Sequence, residues 1–266
     1  MPLPPVPVIL TIAGFDPSSG AGITGDLKTI AGHGFYGMAC ITALTVQNTL
    51  GVGRIQPVEP QFLKETLESL ASDTDFAAVK IGMLGSVGAV GEVIRFVQSR
   101  KSIPIVLDPV LASSSGASLL DAEGTELLKK GLLPLATVIT PNMAEAAALT
   151  RLPVKSLPEM RAAVRRLQEI GARNVVITGG HLGENTDLLR LESGEEREFT
   201  GAKIDSKSTH GTGCAFSTSL ACRLAKGGIL SEAIAGAKEY VRIAIEKAYP
   251  VGKGIGPLNH LFRLKS

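Results

Sequence analysis

Tryptophan is absent from this 266-residue chain, and aromatic residues amount to only 4% of it. The core must therefore be built from Ala, Val, Ile and Leu, which dominate the 44% hydrophobic fraction and suit a layered α/β structure. Cysteine is scarce as well. Cys40, Cys214 and Cys222 show neither the paired spacing of a disulfide framework nor, with the few histidines, the spacing of a metal site. Free thiols in a reducing, cytoplasmic setting are expected. Neither sign of charge dominates: 27 basic against 25 acidic residues leave a formal net charge of +2. That is too little to draw nucleic acid or an acidic membrane by bulk electrostatics, so the expected partner is a small molecule. No apolar run reaches the ~20 residues of a spanning helix. The segment Val6 to Ile12, behind the uncharged Met1-Pro2-Leu3-Pro4-Pro5, is too short for a secretory signal. Linkers, low-complexity tracts and internal repeats are missing too, which predicts one domain over residues 1–266.

What is present is an alternation of strand-length apolar runs with segments of helical period. Val6 to Ala13, Met38 to Val46, Ala77 to Ile81, Ile103 to Leu107, Ala136 to Thr140 and Asn174 to Thr178 read as strands. Most are apolar on both faces, as in a parallel sheet covered by helices on either side. Helical spacing links Ile23, Leu27, Ile30 and Ala31, then Phe62, Leu63, Leu67 and Leu70, and later Met160, Val164, Leu167 and Ile170. Thr186 to Ile204, with a Ser193-Gly194 turn, predicts a β-hairpin, and two further helices finish the chain.

The most informative stretch is Ser208-Thr209-His210-Gly211-Thr212-Gly213-Cys214, which runs straight into an apolar helical segment ending near Ala225. Gly211 and Gly213 can adopt backbone angles closed to other residues, so successive amides can converge on one point at a helix start. Unpaired amides and the helix dipole favour an anion there, and the same field is expected to lower the pKa of Cys214. A plain tight turn with a small core cysteine is the competing reading of the same residues.

Ligands of such sheets gather at the carboxyl ends of the strands. Those ends carry Gly14 to Gly22, Gln47-Asn48, Gly82-Met83, Asp108-Pro109, Thr140-Pro141-Asn142 and Gly179-Gly180-His181. Asp108 closes an apolar strand, where a carboxylate requires a partner or a metal unless it only caps the turn. Asn142 and Glu145 have the spacing of a capping box, which is compatible with a role at the same edge. Asp26 is placed to favour the first helix dipole. Gln47 offers a donor and an acceptor suited to a nitrogen heterocycle. His210 and His181 lie in glycine-flanked loops without metal-site spacing, and the glycines at 14, 20 and 22 suit close backbone approach to a ligand.

With these motifs in place, the chain resembles the bacterial hydroxymethylpyrimidine/phosphomethylpyrimidine kinases of thiamine biosynthesis, members of the ribokinase-like superfamily. The resemblance runs over essentially the whole length. It is carried by residues 10–23, 26–29 and 41–49, then Lys80-Ile81-Gly82-Met83-Leu84, Leu107-Asp108-Pro109-Val110, Thr140-Pro141-Asn142, Gly179-Gly180-His181-Leu182 and Thr209 to Cys214. It implies a three-layer α/β/α sandwich with a mostly parallel central sheet, and two successive phosphoryl transfers from ATP to the pyrimidine. By the same resemblance Cys214 is the catalytic position and Gly211, Thr212 and Gly213 form the anion hole. Gln47, Gly14, Asp26 and Met83 bind the pyrimidine, Asn142, Thr178, Gly180 and His181 lie toward ATP, and Asp108 and Glu145 organise Mg²⁺ through water. A homodimer is implied as well.

The chain departs from the family pattern at several positions. Thr178 stands where a lysine is usual, and Ser114-Ser115-Gly116 where Lys-Ser-Gly is usual. Phe15 replaces a Ser or Thr, and Ser19 replaces a glycine. A pyridoxal kinase of the same fold is the alternative enzyme. A pyrimidine-binding protein with weak turnover is the alternative outside catalysis, motivated by the missing cations.

Overall fold

The computed structural model describes residues 6–100, 102–113, 116–180, 185–202 and 204–264. Nine strands form one sheet in the order β3-β2-β1-β4-β5-β6-β7-β8-β9. They are β1 (Val8–Phe15), β2 (Tyr36–Asn48), β3 (Gly51–Pro57), β4 (Ala78–Ile81), β5 (Ile105–Leu107), β6 (Val138–Ile139), β7 (Val175–Ile177), β8 (Asn185–Arg190) and β9 (Glu196–Gly201). From β2 to β7 every pairing is parallel. β3 and the β8–β9 hairpin are antiparallel additions at the two edges.

Period-2 alternation along each strand sends neighbouring side chains to opposite helical layers. Leu10, Ile12, Val79, Ile81, Ile105 and Leu107 face one core, shared with α2 (Pro60–Asp73), α3 (Val87–Gln98), α5 (Met143–Thr150) and α6 (Leu157–Ile170). Ile9, Ala78, Val106, Val138 and Val176 face the other, beneath α1 (Gly22–Gly32), α7 (Thr212–Ala225) and α8 (Leu230–Glu246). A short α4 (Ala122–Leu127) follows β5. The expected three-layer α/β/α arrangement is thus present. Burying one such aliphatic side chain contributes about 1.5–3 kcal/mol. Among the described residues no helix is long and apolar enough to cross a membrane.

The six strands read from the sequence all form, trimmed by one or two residues at most ends. Local chemistry moves the boundaries: Pro104 precedes β5 and offers no amide to a ladder. The hairpin also forms, with Gly194 left-handed at φ 90° in its turn. β3 and α3 lie outside the segments read from sequence. Phe62 needs correction, because it points to solvent at 62% exposure while Leu63 and Leu67 carry the buried face of α2.

The sheet positions the site through its switch point. β1 pairs with β2 on one side and β4 on the other, so the connections leave in opposite directions and open a crevice at the strand carboxyl ends. α7 packs against β1, β4 and β5 with its N-terminus at that edge.

Candidate active site

Two glycine-bearing loops lock together at this edge. Gly211 is the N-cap of α7 at φ 86°, and a Cβ there would collide with the Gly20 carbonyl oxygen. Gly22 opens α1 at φ 53°, and a Cβ there would collide with the Gly14 carbonyl oxygen. Both positions need glycine for conformation and for space. Ser19, a non-glycine residue, is left-handed at φ 67°.

Asp16 fastens the loops to each other. Its carboxylate accepts from Ser18 N at 2.8 Å, Ser18 Oγ at 2.7 Å and Ala21 N at 2.9 Å, and meets His210 Nε2 at 2.7 Å. Burial by itself would raise the carboxyl, but the bonds from His210 and Ser18 outweigh it and hold it at about 2. The Gln47 amide lies 3.4 Å from His210 Nε2. His210 therefore joins the first loop, the Gln47 end of β2 and the loop before α7, a linking role that its glycine-flanked position did not disclose.

The expected glycine turn does open a helix, α7. Gly211 has no side chain to cap α7, and no side-chain cap is made; Thr212 N turns back to Thr209 O at 3.4 Å, while the helix itself supplies no partner to the amides of Gly213 and Cys214. Gly213 faces Asp108: a Cβ on it would lie 4.0 Å from Asp108 Oδ2. Ser217, one turn on, donates to the same oxygen at 3.1 Å. Asp108 thus reaches α7 through its side chain, and burial raises its pKa against the pull of Lys80.

Cys214 corrects one expectation. Burial pushes its thiol up to about 12, and Asp108 and Asp26 add to the rise against Lys80 and the Gly22 amide. The expected lowering at the helix start is not realised, because desolvation and two carboxylates outweigh the terminus. The thiol is protonated at neutral pH.

Asp26 is a second correction. Its carboxylate is sealed from solvent and bonded to Lys80 Nζ at 2.9 Å, Thr11 Oγ1 at 2.6 Å and Thr218 Oγ1 at 2.7 Å. It is a buried counter-ion beneath the pocket, not a lining group, and it lies past the first turn where a dipole role would place it. Lys80, missed in the sequence, is equally buried, and Asp26, Cys214 and Asp108 hold its pKa above the ordinary lysine value despite burial. A Cβ on Gly82 would lie 2.7 Å from Lys80 Nζ, so that glycine makes room for the cation. The signal was present: a lysine inside an all-apolar strand requires a buried acid.

Gly14 and Met83 do come together, since a Cβ on Gly14 would lie 2.8 Å from Met83 Sδ. Thr42 Oγ1 fixes the Met83 carbonyl at 2.6 Å.

On the other flank, Asn142 and Glu145 make the capping box, with Asn142 N donating to Glu145 Oε2 at 2.8 Å and Glu145 N donating to Asn142 Oδ1 at 2.9 Å. Burial and the proximity of Asp108 push Glu145 up to about 8. A buried carboxyl raised by a neighbouring carboxylate is a charge conflict that a hard divalent cation relieves. Among the described residues no group of three His, Cys, Asp or Glu side chains is arranged for a metal. Asp108 and Glu145 are oxygen donors of the type that hold a hydrated Mg²⁺.

Thr178 pairs with Asn142 in an isolated parallel bridge and donates its amide to Pro141 O at 3.0 Å. Gly179 donates to buried Asp187 at 3.0 Å, which also meets Lys238 at 2.8 Å. Gly180 is exposed beside them. His181, Ser114 and Ser115 lie outside the described residues.

Comparison with known proteins identifies the family. The sequence profile of phosphomethylpyrimidine kinase matches residues 16–259, and the chain belongs to that family. It is 39% identical over 262 residues to the hydroxymethylpyrimidine/phosphomethylpyrimidine kinase of Staphylococcus aureus, covering 97% of this chain and 95% of the relative. It is 43% identical over 255 residues to the thiamine biosynthesis bifunctional protein ThiED of Geobacter sulfurreducens, covering 95% of this chain but spanning only 52% of that protein. Among solved structures, the phosphomethylpyrimidine kinase of Clostridium difficile superposes with a TM-score of 0.79 at 36% identity, covering 90% and 99% of the two chains. The Bacillus subtilis pyridoxal kinase in complex with ADP gives 0.87 at 33% identity, covering 96% and 98%. The fold and the phosphotransferase class follow.

Proposed function

We propose that this chain transfers the γ-phosphoryl of ATP to the hydroxymethyl oxygen of 4-amino-5-hydroxymethyl-2-methylpyrimidine, and then a second phosphoryl to the monophosphate so formed. The observation that carries the reading is the uncapped N-terminus of α7, locked by Gly211 against Gly20 and set between Gln47 and the Asp108–Glu145 pair. Phosphoryl transfer requires alignment and charge neutralisation more than covalent help. In each round a new oxygen–phosphorus bond forms as the β–γ bridge of ATP breaks, leaving ADP.

In this reading the amides at Gly211, Thr212, Gly213 and Cys214 receive the transferring phosphoryl, and one such preorganised donor is worth about 3 kcal/mol of barrier. Cys214 lines the transfer position. Its neutral thiol is no ready base at rest, so its part begins with contact to the hydroxyl. Gln47 reads the pyrimidine edge, with Gly14 and Met83 as the pocket floor. Asn142, Thr178 and Gly180 lie toward ATP; relatives of this fold solved with ADP and with AMP-PCP support ATP as the co-substrate. Asp108 and Glu145 hold the hydrated Mg²⁺ that accompanies ATP, whose chemistry is neutralisation of phosphate charge. A homodimer and a cytoplasmic location belong to the same reading. Exposed Leu44, Val46 and Leu50 support the first, and three free cysteines the second.

A second reading, pyridoxal kinase, is favoured by the TM-scores of 0.87 and 0.88 to such enzymes. Rates of ADP release with hydroxymethylpyrimidine and with pyridoxal separate the two. A kcat/KM for the pyrimidine well above that for pyridoxal supports the proposal. Turnover of pyridoxal alone contradicts it, and tight pyrimidine binding without ADP release points to a binding protein.

A further inference from the structure

Beside the site lies a cavity of about 480 Å³ that the roles above leave unused. Its walls come from three segments: the turn after Gln47 (Thr49, Leu50), the approach to the anion loop (Ser206, Lys207, Thr209), and residues 253–255. Backbone bonds hold these segments in register. Ile255 N donates to Thr49 O at 2.9 Å, Gly256 N to Lys207 O at 3.0 Å and His210 N to Gly256 O at 3.0 Å. Thr49 Oγ1 accepts from Gly254 N at 3.2 Å, and a Cβ on Gly254 would collide with the Thr49 carbonyl oxygen. The cleft is therefore a built element of the fold and not a gap between unrelated loops.

Its lining has one charge sign. Among the described residues its charged groups are Lys207 and Lys253, and neither pairs with a described carboxylate. Hydroxyls of Thr49, Ser206 and Thr209 complete the polar wall, while Leu50 and Ile255 offer an apolar one. Two cations, hydroxyls and an apolar wall suit a flat heterocycle that carries a phosphate. The cleft adjoins Gln47 through Thr49 and the anion loop through Thr209.

Resting on the two-step reading, the geometry points to this cleft as a phosphomonoester subsite that binds the pyrimidine monophosphate outside the transfer position. One anion hole serving two transfers gives such a subsite a use. After the first transfer the new phosphate occupies the place that the next γ-phosphoryl must take, so the monophosphate has to withdraw while ADP is exchanged for ATP. Lys207 and Lys253 hold it through its phosphate, with the ring against Leu50 and Ile255.

The test compares both steps in the double variant Lys207→Gln/Lys253→Gln, whose replaced side chains are exposed. KM for the monophosphate is expected to rise about five- to tenfold, the size of one or two exposed charge contacts. KM and kcat for the hydroxymethyl substrate should stay within about twofold, and calorimetry without ATP should show weaker monophosphate binding. In the wild type, added salt should weaken monophosphate binding more than in the variant. Unchanged monophosphate KM and binding, or an equal rise in both KM values, overturns the subsite while leaving the kinase reading intact. Absence of hydroxymethylpyrimidine turnover in the wild type overturns the kinase reading itself, whereas altered monophosphate binding would still locate the anion.

Discussion

Asp26 Oδ2 and Lys80 Nζ stand 2.9 Å apart with both side chains sealed from solvent. The pair bridges α1 and β4 directly beneath the first turns of α7, where Thr218 adds a bond to the same carboxylate. It sets the charge below the anion loop. Lys80→Met strands a buried carboxylate and is expected to cost about 3–5 kcal/mol. Lys80→Met with Asp26→Asn should recover part of that loss. Urea unfolding of the three proteins measures both, and a harmless single variant would show that the pair does not hold this layer together.

The loop interlock gives a second expectation. Gly211→Ala forces a left-handed alanine and drives its Cβ into the Gly20 carbonyl. Strain of about 1–2 kcal/mol from the conformation alone adds to displacement of both loops. Turnover should fall by at least about a hundredfold, the loss associated with one misplaced oxyanion donor. Gly180→Ala, at an exposed glycine with open space around its Cβ position, should leave stability close to wild type. Comparable rates for Gly211→Ala and wild type would remove the amides of α7 from the chemistry.

Cys214 carries a chemical prediction. With its thiol at about 12, iodoacetamide should react slowly at pH 7 and faster as pH rises, since the thiolate is the nucleophile. Cys40 and Cys222 are raised to about 12 as well, so rapid labelling should appear only on unfolding. Cys214→Ala should lose most turnover yet bind nucleotide normally. Fast labelling of the folded protein at neutral pH would mean that the helix terminus, not burial, governs this thiol.

Asp16 makes the fold sensitive to acid in a defined window. Its folded pKa of about 2 lies below the ordinary 3.8, so its contribution is full above about pH 4 and is lost as pH falls through about 2. The difference corresponds to about 2 kcal/mol. Denaturant midpoints at pH 7 and pH 3 should differ less in Asp16→Asn than in wild type. Equal pH dependence of the two proteins would contradict the Asp16–His210 link.

Much of this architecture was legible because the parallel strands are apolar on both faces, and buried strands advertise themselves by unbroken Val and Ile. β3 was not legible, since Gly51, Gly53, Arg54, Gln56 and Pro57 form a largely exposed edge whose pairing depends on β2 alone. At the site, the sequence placed Gly211, Gly213, Gln47 and Asp108 at strand or helix ends, where the structure has them. The Lys80–Asp26 pair and the Asp16–His210 link join residues 54 and 194 positions apart. No local pattern encodes such contacts, although a buried lysine implies an acid somewhere. The pKa of Cys214 was misjudged for the same reason: the helix terminus is local, whereas Asp26 and Asp108 reach it only through the fold.

A phosphorus NMR time course with hydroxymethylpyrimidine and Mg·ATP tests the central claim most directly. The account predicts a pyrimidine monophosphate signal that rises first and then gives way to the diphosphate, with two ADP formed for each diphosphate. Hydrolysis of ATP with no phosphorylated pyrimidine, or phosphorylation of pyridoxal alone in a parallel sample, would contradict it.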